Sequence, residues 1–340
     1  NGSGVALGDL NNDGLIDIYF GGNSSDDKLY INEGDFKFKD ISAHLGTDNL
    51  KGWTTGVNFV DINADGLLDI YVCRSGPSKN PDDKTNKLFI NQGDLIFIES
   101  AKFYNINKNT QSIQSAFFDY DLDGDLDMYL LNHPTAGFKP EEFKKHVSDV
   151  INGKLQTDFF FENIDGKFID KTKEAGLVNF GYRHGIAVGD VNNDHYPDLY
   201  ISSDFEEPDL FYLNTTNKSF KNVTDTHLKH ISFNSMGNEI VDINNDGLLD
   251  VFVVDMAPSN HFRSKVYMKS MNTAKFNALS ESGFHFQYMQ NTLHINNGNN
   301  TYSEIAQLSG IGKTDWSWAP LFFDMDLDGK KDLFVSNGIK

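Results

Sequence analysis

A nine-residue pattern, Asp-x-Asn/Asp-x-Asp-Gly-x-x-Asp, occurs six times in this chain, starting at Asp9, Asp61, Asp119, Asp190, Asp242 and Asp324. The copies read DLNNDGLID, DINADGLLD, DYDLDGDLD, DVNNDHYPD, DINNDGLLD and DMDLDGKKD. Side-chain oxygens recur at positions 1, 3, 5 and 9, and position 6 is Gly in five copies and His195 in the fourth. Oxygens at alternate positions around a sharp turn suit a hard cation that takes about six to eight oxygen ligands, which is calcium. The side-chain ligands expected are Asp9, Asn11, Asp13 and Asp17 in the first copy, then Asp61, Asn63, Asp65 and Asp69. The third and fourth copies offer Asp119, Asp121, Asp123 and Asp127, then Asp190, Asn192, Asp194 and Asp198. The last two offer Asp242, Asn244, Asp246 and Asp250, then Asp324, Asp326, Asp328 and Asp332. Position 7 adds a backbone carbonyl from Leu15, Leu67, Asp125, Tyr196, Leu248 and Lys330. Up to six structural Ca²⁺ ions are expected.

These are not EF-hand loops. An EF-hand ends in a bidentate Glu at position 12, where this chain has Phe20, Val72, Leu130, Ile201, Val253 and Val335. Each loop lies between short apolar runs, such as GVNFVD before and DIYV after, which read as buried strands. The loop therefore joins two strands, and its ninth residue opens the second. Position 6 needs a residue that accepts positive φ, so His195 marks the fourth site as the weakest.

A second signature follows five of the loops: KLYINEGDFKFKDIS, KLFINQGDLIFIES, DFFFENIDGKFIDKT, DLFYLNTTNKSFKNVT and NTLHINNGNNTYSEIA. Each is a strand, an Asn/Gly turn and another strand. The unit is thus four short strands, and multi-strand units recurring at this period predict an all-β fold, a β-propeller of four-stranded blades. Residues 1–340 read as a single propeller domain with about five and a half blades, truncated at both ends, or else closed as six blades by strand exchange. Two connections between second and third strands are enlarged, at about 133–157 and 256–290. KPEEFKKHVSDVI, with Phe143, Val147, Val150 and Ile151 on one stripe and Pro140 near its start, predicts a helix, as does FRSKVYMKSMNTAKFNAL.

Formal net charge is −20, and twenty carboxylates occupy loop positions 1, 3, 5 and 9. The acidity follows from the metal loops, and with no Lys/Arg stripe it excludes nucleic acid as a partner. The single cysteine, Cys73, falls on a strand and reads as a small buried hydrophobe. No run of 18 apolar residues exists, so nothing here is expected to span a membrane as a helix. Extracellular modules bind calcium at roughly 10⁻⁴–10⁻³ M, a range only external fluid saturates, so the expected compartment is outside the cytosol.

The chain resembles the FG-GAP/VCBS repeat family, the calcium-binding propeller of integrin α-subunit heads. It is more similar still to bacterial surface proteins of the CRTAC1-like (ASPIC/UnbV-associated) group. NGSGVALGDLNNDGLIDIYF, HFQYMQNTLHINNG and DWSWAPLFFDMDLDGKKDLFVSNG carry that likeness. The resemblance implies seven blades, a place in an outward-facing outer-membrane surface protein or complex, and a role in binding or adhesion. In each blade the calcium loop marks one end and leaves the other for ligands, so the expected partner is a protein or glycan at the end opposite calcium. Trp53, Tyr182, Arg183, His184, Met236, Trp316 and Trp318, on the links between blades, are the candidate contacts, by the aromatic and Arg character of binding anchors. No nucleophile elbow, zinc motif or phosphate loop is present, so no enzymatic activity is expected. The alternative is a polysaccharide lyase or hydrolase using the propeller channel around Arg183 and His184.

Overall fold

The structure, a computed structural model, describes residues 3–46, 50–134, 142–155, 157–205, 207–216, 218–266 and 273–338. Five four-stranded antiparallel blades are formed in chain order. Blade 1 is Val5–Gly8, Asp17–Phe20, Lys28–Asn32 and Phe38–Asp40; blade 2 is Trp53–Val60, Asp69–Ser75, Lys87–Asn91 and Phe97–Glu99. Blade 3 is Ser112–Phe118, Asp127–Asn132, Phe159–Ile164 and Lys167–Asp170; blade 4 is Tyr182–Gly189, Asp198–Asp204, Leu210–Thr215 and Ser219–Asn222. Blade 5 is Ser235–Val241, Asp250–Ala257, Thr292–Asn296 and Tyr302–Glu304, and the hairpin Asp315–Phe323 with Asp332–Asn337 begins a sixth. The fold is all-β, a β-propeller arrangement of four-stranded blades with short helices.

Second strands are the most buried elements: Asp69–Ser75, Asp127–Asn132, Asp198–Asp204 and Asp250–Ala257 are buried at every residue. Their sequences do not alternate apolar with polar, because both faces of the sheet are covered. Tyr71, Cys73 and Leu88 of blade 2 pack with Met128, Leu130 and Phe161 of blade 3. Blades 1 and 2 share Tyr19, Leu29, Val57 and Phe89; blades 4 and 5 share Tyr200, Phe211, Val251 and Tyr302. Cys73 is fully buried, its thiol pushed up to about 12 by burial, so it packs as a hydrophobe.

The chain falls into two compact units: Asn1–Thr135 with Gln156–Lys173, and Ala136–Leu155 with Glu174–Lys340. The first holds blades 1 to 3. The second holds blades 4 and 5, the sixth hairpin and the helix Phe143–Ile151.

The expected helices form, with corrections. In Phe143–Ile151 the inward residues are His146, 4.6 Å ring to ring from Phe180, and Val150; Ile151 is half exposed. Among the described side chains the buried stripe is this i, i+4 pair, with Val147 half-buried; the Phe143 side chain lies outside the described ones. Pro140 lies outside the described residues. The second insertion contains two helices, His261–Val266 and Thr273–Glu281, with residues 267–272 outside the described set. It ends in a short strand, Gln287–Tyr288, that pairs parallel with Ile231–Ser232 of the link between blades 4 and 5.

Candidate metal centres and binding face

All six nine-residue loops sit between the first and second strands of their blades, and they share one internal geometry. The carboxylate at position 1 accepts from the backbone N–H groups of positions 5 and 6: Asp9 from Asp13 and Gly14 at 3.1 and 2.7 Å, Asp190 from Asp194 and His195 at 3.0 and 2.7 Å. The side-chain oxygen at position 3 accepts from the N–H of position 5, as Asn11 does from Asp13 at 3.2 Å. The Asp at position 5 accepts from the N–H of position 7, as Asp13 does from Leu15 at 2.8 Å. Backbone donors thus fix the acidic side chains in the same arrangement in every loop.

Two backbone positions per loop are left-handed. Position 6 is, as the sequence suggests: Gly14, Gly66, Gly124, Gly247 and Gly329 have φ between 84° and 96°, and His195 has φ 75°. His195 makes the same N–H bond as the glycines, so the fourth loop keeps the shared path at the cost of its side chain's strain. Position 4 is left-handed as well, at Asn12, Ala64, Leu122, Asn193, Asn245 and Leu327. Where it is Asn it can reach the next loop: Asn12 Nδ2 donates to Gly66 O at 3.1 Å, and Asn245 Nδ2 to Gly329 O at 2.8 Å.

The ninth residue has a second role. Asp69 is fully buried, its Oδ2 accepting from Ile62 N–H at 3.1 Å and its Oδ1 from Asn91 N–H at 2.8 Å. Asp17, Asp127, Asp198 and Asp250 do the same with Leu10 and Asn32, Tyr120 and Asn163, Val191 and Asn214, and Ile243 and Asn296. Each carboxylate staples the loop to the end of the third strand. Asp332 is exposed and, among the described residues, keeps the loop bond alone, from Met325 N–H at 2.9 Å.

Carboxylate oxygens of Asp119, Asp121 and Asp127 lie within 4.8 Å of one another, as do those of Asp324, Asp326 and Asp332. These are the two loops with Asp at position 3. Burial first, and then the neighbouring Asp charges, push Asp127 up to about 8 and Asp125 up to about 6. Asp125 Oδ1 is buried without a hydrogen-bond partner. Crowded carboxylate oxygens, with an unsatisfied Asp125 oxygen beside one set, fit a divalent cation with oxygen ligands.

A second repeated node escaped the sequence reading. The residue that opens the third-strand segment is Asp27, Asn86, Asp158, Asp209 or Asn291, and all five are buried. In four blades it bonds the Tyr of the second strand: Tyr19 to Asp27 at 2.8 Å, Tyr71 with Asn86 at 3.0 Å, Tyr129 to Asp158 at 3.1 Å, and Tyr200 to Asp209 at 2.8 Å. A hydroxyl of the following blade completes it: Thr54 on Asp27, Ser112 on Asn86, Ser235 on Asp209 and Thr314 on Asn291. The signal was there, a Tyr third in the DIYF-type runs and an Asp or Asn before each following hairpin, but nothing in one sequence pairs them.

The FG-GAP-like repeat family matches residues 9–72, 190–253 and 284–335, just over half of the chain. The chain belongs to the FG-GAP-like repeat family. Cartilage acidic protein 1 of Xenopus tropicalis is 28% identical over 206 residues, which cover 59% of this chain and 28% of that protein, so the chain spans well under a third of that relative's length. Among solved structures, the V. cholerae biofilm matrix protein Bap1 matches 64% of this chain and 27% of its own at 17% identity, with a TM-score of 0.34.

At the other end of the FG-GAP blades, the expected ligand contacts separate. Arg183 is 1% exposed, and its guanidinium bonds Ser203 Oγ, Pro208 O and Phe180 O; Met236 is also 1% exposed. Neither can meet a ligand from solvent, because both point into the packing between strands. His184 lies 4.0 Å from Asp204 and is largely covered. Tyr182 stacks edge-on to Phe205 at 5.3 Å, and Trp316 packs against the blade 5 core. Trp53 is half-buried beside Gly76, and Trp318 is 37% exposed.

The blade 5 insertion brings together titratable groups that the sequence scatters. His230 Nε2 is 3.4 Å from Glu304, His285 Nδ1 is 3.2 Å from Asp225, and His294, 1% exposed, has its ring 6.3 Å from that of His230. Burial, with the charges of His230 and His285 against Glu304, pushes His294 down to about 3. A folded pKa below the unfolded value of about 6.5 means the stability is complete above that pH and is lost as pH falls towards 3. The expected loss from this one group is about 2 kcal/mol between pH 7 and pH 5. The other four blades have Tyr30, Phe89, Phe161 or Tyr212 at this strand position. In metal-free protein, His294→Phe should therefore shrink the difference in urea midpoint between the two pH values; an unchanged difference would assign it elsewhere.

Proposed function

We propose that this chain is a calcium-stabilised, non-catalytic binding and adhesion module that works outside the cytosol, as part of a larger bacterial outer-membrane surface protein or assembly. The observation that carries this reading is one loop geometry recurring six times, with acidic side chains gathered by the same backbone donors. Sites built on exposed hairpin tips with several Asn ligands suit the weak calcium range of extracellular modules, not that of cytosolic buffers. The carboxylate pairs that a hydrolase would need are taken up in these loops and in the buried third-strand node. The relative named after cartilage is in keeping with work outside the cell. In each blade the metal loops occupy one end, and the connections enlarged by helices leave from the other, which is where partners are expected to bind.

Equilibrium dialysis with radioactive calcium tests the reading. Close to six ions per chain should bind, with half-saturation at about 10⁻⁴–10⁻³ M. One ion or none, or sub-micromolar affinity, would overturn it.

A further inference from the structure

We infer that the cleft between the turn at Ser282–His285 and the outer edge of blade 4, with the aromatic row beside it, binds an uncharged oligosaccharide; this rests on the reading of the chain as a binding module and names its ligand. The cleft encloses a cavity of about 450 Å³ and is open to solvent on one side. That size lies within the range of small-ligand sites. One wall is the end of blade 4's fourth strand and the turn after it, with Asn222, Asp225 and Thr226; the other is the blade 5 insertion, with Ser282, Phe284 and His285. Both walls stand at the end of their blades opposite the calcium loops.

The cleft is held open by its own frame. His285 Nδ1 reaches Asp225 at 3.2 Å across it. Just beyond, Ile231 N–H donates to Phe286 O at 2.9 Å, and Ile231 and Ser232 pair with Gln287 and Tyr288. A site fixed before binding avoids the cost of ordering a loop.

The lining chemistry selects the ligand. Among the described residues no Lys or Arg lines the cavity, and the chain carries a formal charge of −20. Phosphates, sulfates and uronates would meet an acceptor-rich surface of the same sign. The donors and acceptors present are neutral, apart from two carboxylates, the exposed Asp225 and the buried Asp209. Asn222 Oδ1 accepts from Thr224 N–H at 3.0 Å, so its amide NH₂ is the group it can still offer. The Asp225 side chain is 76% exposed although paired with His285, and a carboxylate in that position can accept from two neighbouring hydroxyls of a sugar ring.

Apolar faces are supplied alongside. Phe286 and Tyr288 are 47% and 41% exposed, while Gln287 between them is buried. Phe276 of the helix Thr273–Glu281 stacks on both, with centroids 5.8 and 5.5 Å away and planes 13° and 30° apart. Stacking fixes the rings before any ligand arrives, and aromatic rings combine large apolar area with low entropy cost on binding. Phe284 stands in the cavity wall and the row begins next to His285, so rings together with hydroxyl, amide and carboxylate groups match a pyranose, which has apolar C–H faces and a hydroxyl rim. A purely apolar segment would take water from the Asn222 amide and the exposed Asp225 carboxylate without replacing it.

The test is calorimetric titration of the calcium-loaded chain with maltohexaose, cellohexaose, laminarihexaose, mannohexaose and xylohexaose, with oligogalacturonate as the anionic comparison. At least one uncharged hexasaccharide should bind in the millimolar range or tighter, and oligogalacturonate should not. Asp225→Asn and Tyr288→Ala should each weaken that binding by about tenfold, near 1.4 kcal/mol, while calcium uptake at the distant loops is unchanged. Asn222→Asp, at an exposed position, should weaken it without disturbing the aromatic row. Absence of binding across the uncharged panel, binding retained in all three variants, or preference for oligogalacturonate would overturn the inference. Six-site calcium uptake measured on the same samples separates the outcomes. Uptake without sugar binding sinks only the ligand assignment, whereas absent uptake sinks the reading beneath it.

Discussion

Chelation should lower the melting temperature of this protein by on the order of 10 °C. A ligand that binds only the folded state adds RT ln(1 + [L]/Kd) to its stability. With millimolar calcium and a Kd near 10⁻⁴ M, each site contributes about 1.4 kcal/mol, and six additive sites set an upper bound of about 8 kcal/mol. That rivals the whole stability of an ordinary domain. The loops show why the metal matters. In the third, Asp125 and Asp127 are desolvated and lie among neighbouring Asp charges, so ionising those two without a cation is unfavourable. Thermal melts followed by circular dichroism in about 1 mM calcium and in excess chelator decide the matter. Coincident curves would remove calcium from the account of this fold.

How far the sequence reached can be judged residue by residue. The loops, their flanking strands and the four-strand unit are legible because they are local: oxygen spacing, a turn residue and apolar runs all lie within a few residues. The left-handed position 6 announces itself as Gly. Position 4 adopts a similar conformation, yet Ala64, Leu122 and Leu327 give no sign of it, because the strain is set by the loop's hydrogen bonds and not by the side chain's preference. Arg183, a candidate contact by residue type, is buried for a related reason. Arg and aromatic residues on links look like binding anchors, but a guanidinium can equally satisfy carbonyls such as Phe180 O and Pro208 O inside a blade. The cleft at Asp225 and His285 joins residues 60 positions apart in sequence, through an insertion from one blade lying against the edge of another. No spacing rule covers that, and helix prediction over 262–279 said nothing about where the following residues would dock.

Asp69→Ala should cost about 4 kcal/mol even in chelator, and Asp332→Ala should cost almost nothing there. The two residues are the ninth of their loops, and a purely metal-binding role would make them equivalent. The structure makes them different. Truncating Asp69 strands the N–H groups of Ile62 and Asn91 in a buried site, and each buried donor left unsatisfied costs about 1–3 kcal/mol. Asn91 matters beyond its own blade, since its Nδ2 donates to Leu10 O of blade 1 at 2.8 Å, so the staple at Asp69 also holds the contact between blades 1 and 2. Among the described residues Asp332 accepts only from Met325 N–H, at an exposed site where water can replace it. Urea unfolding in chelator reads the structural part, and the same series in calcium adds the metal part to both variants. Equal losses for the two in chelator would show that the buried staple contributes nothing, and that the ninth carboxylate is kept for the ion alone.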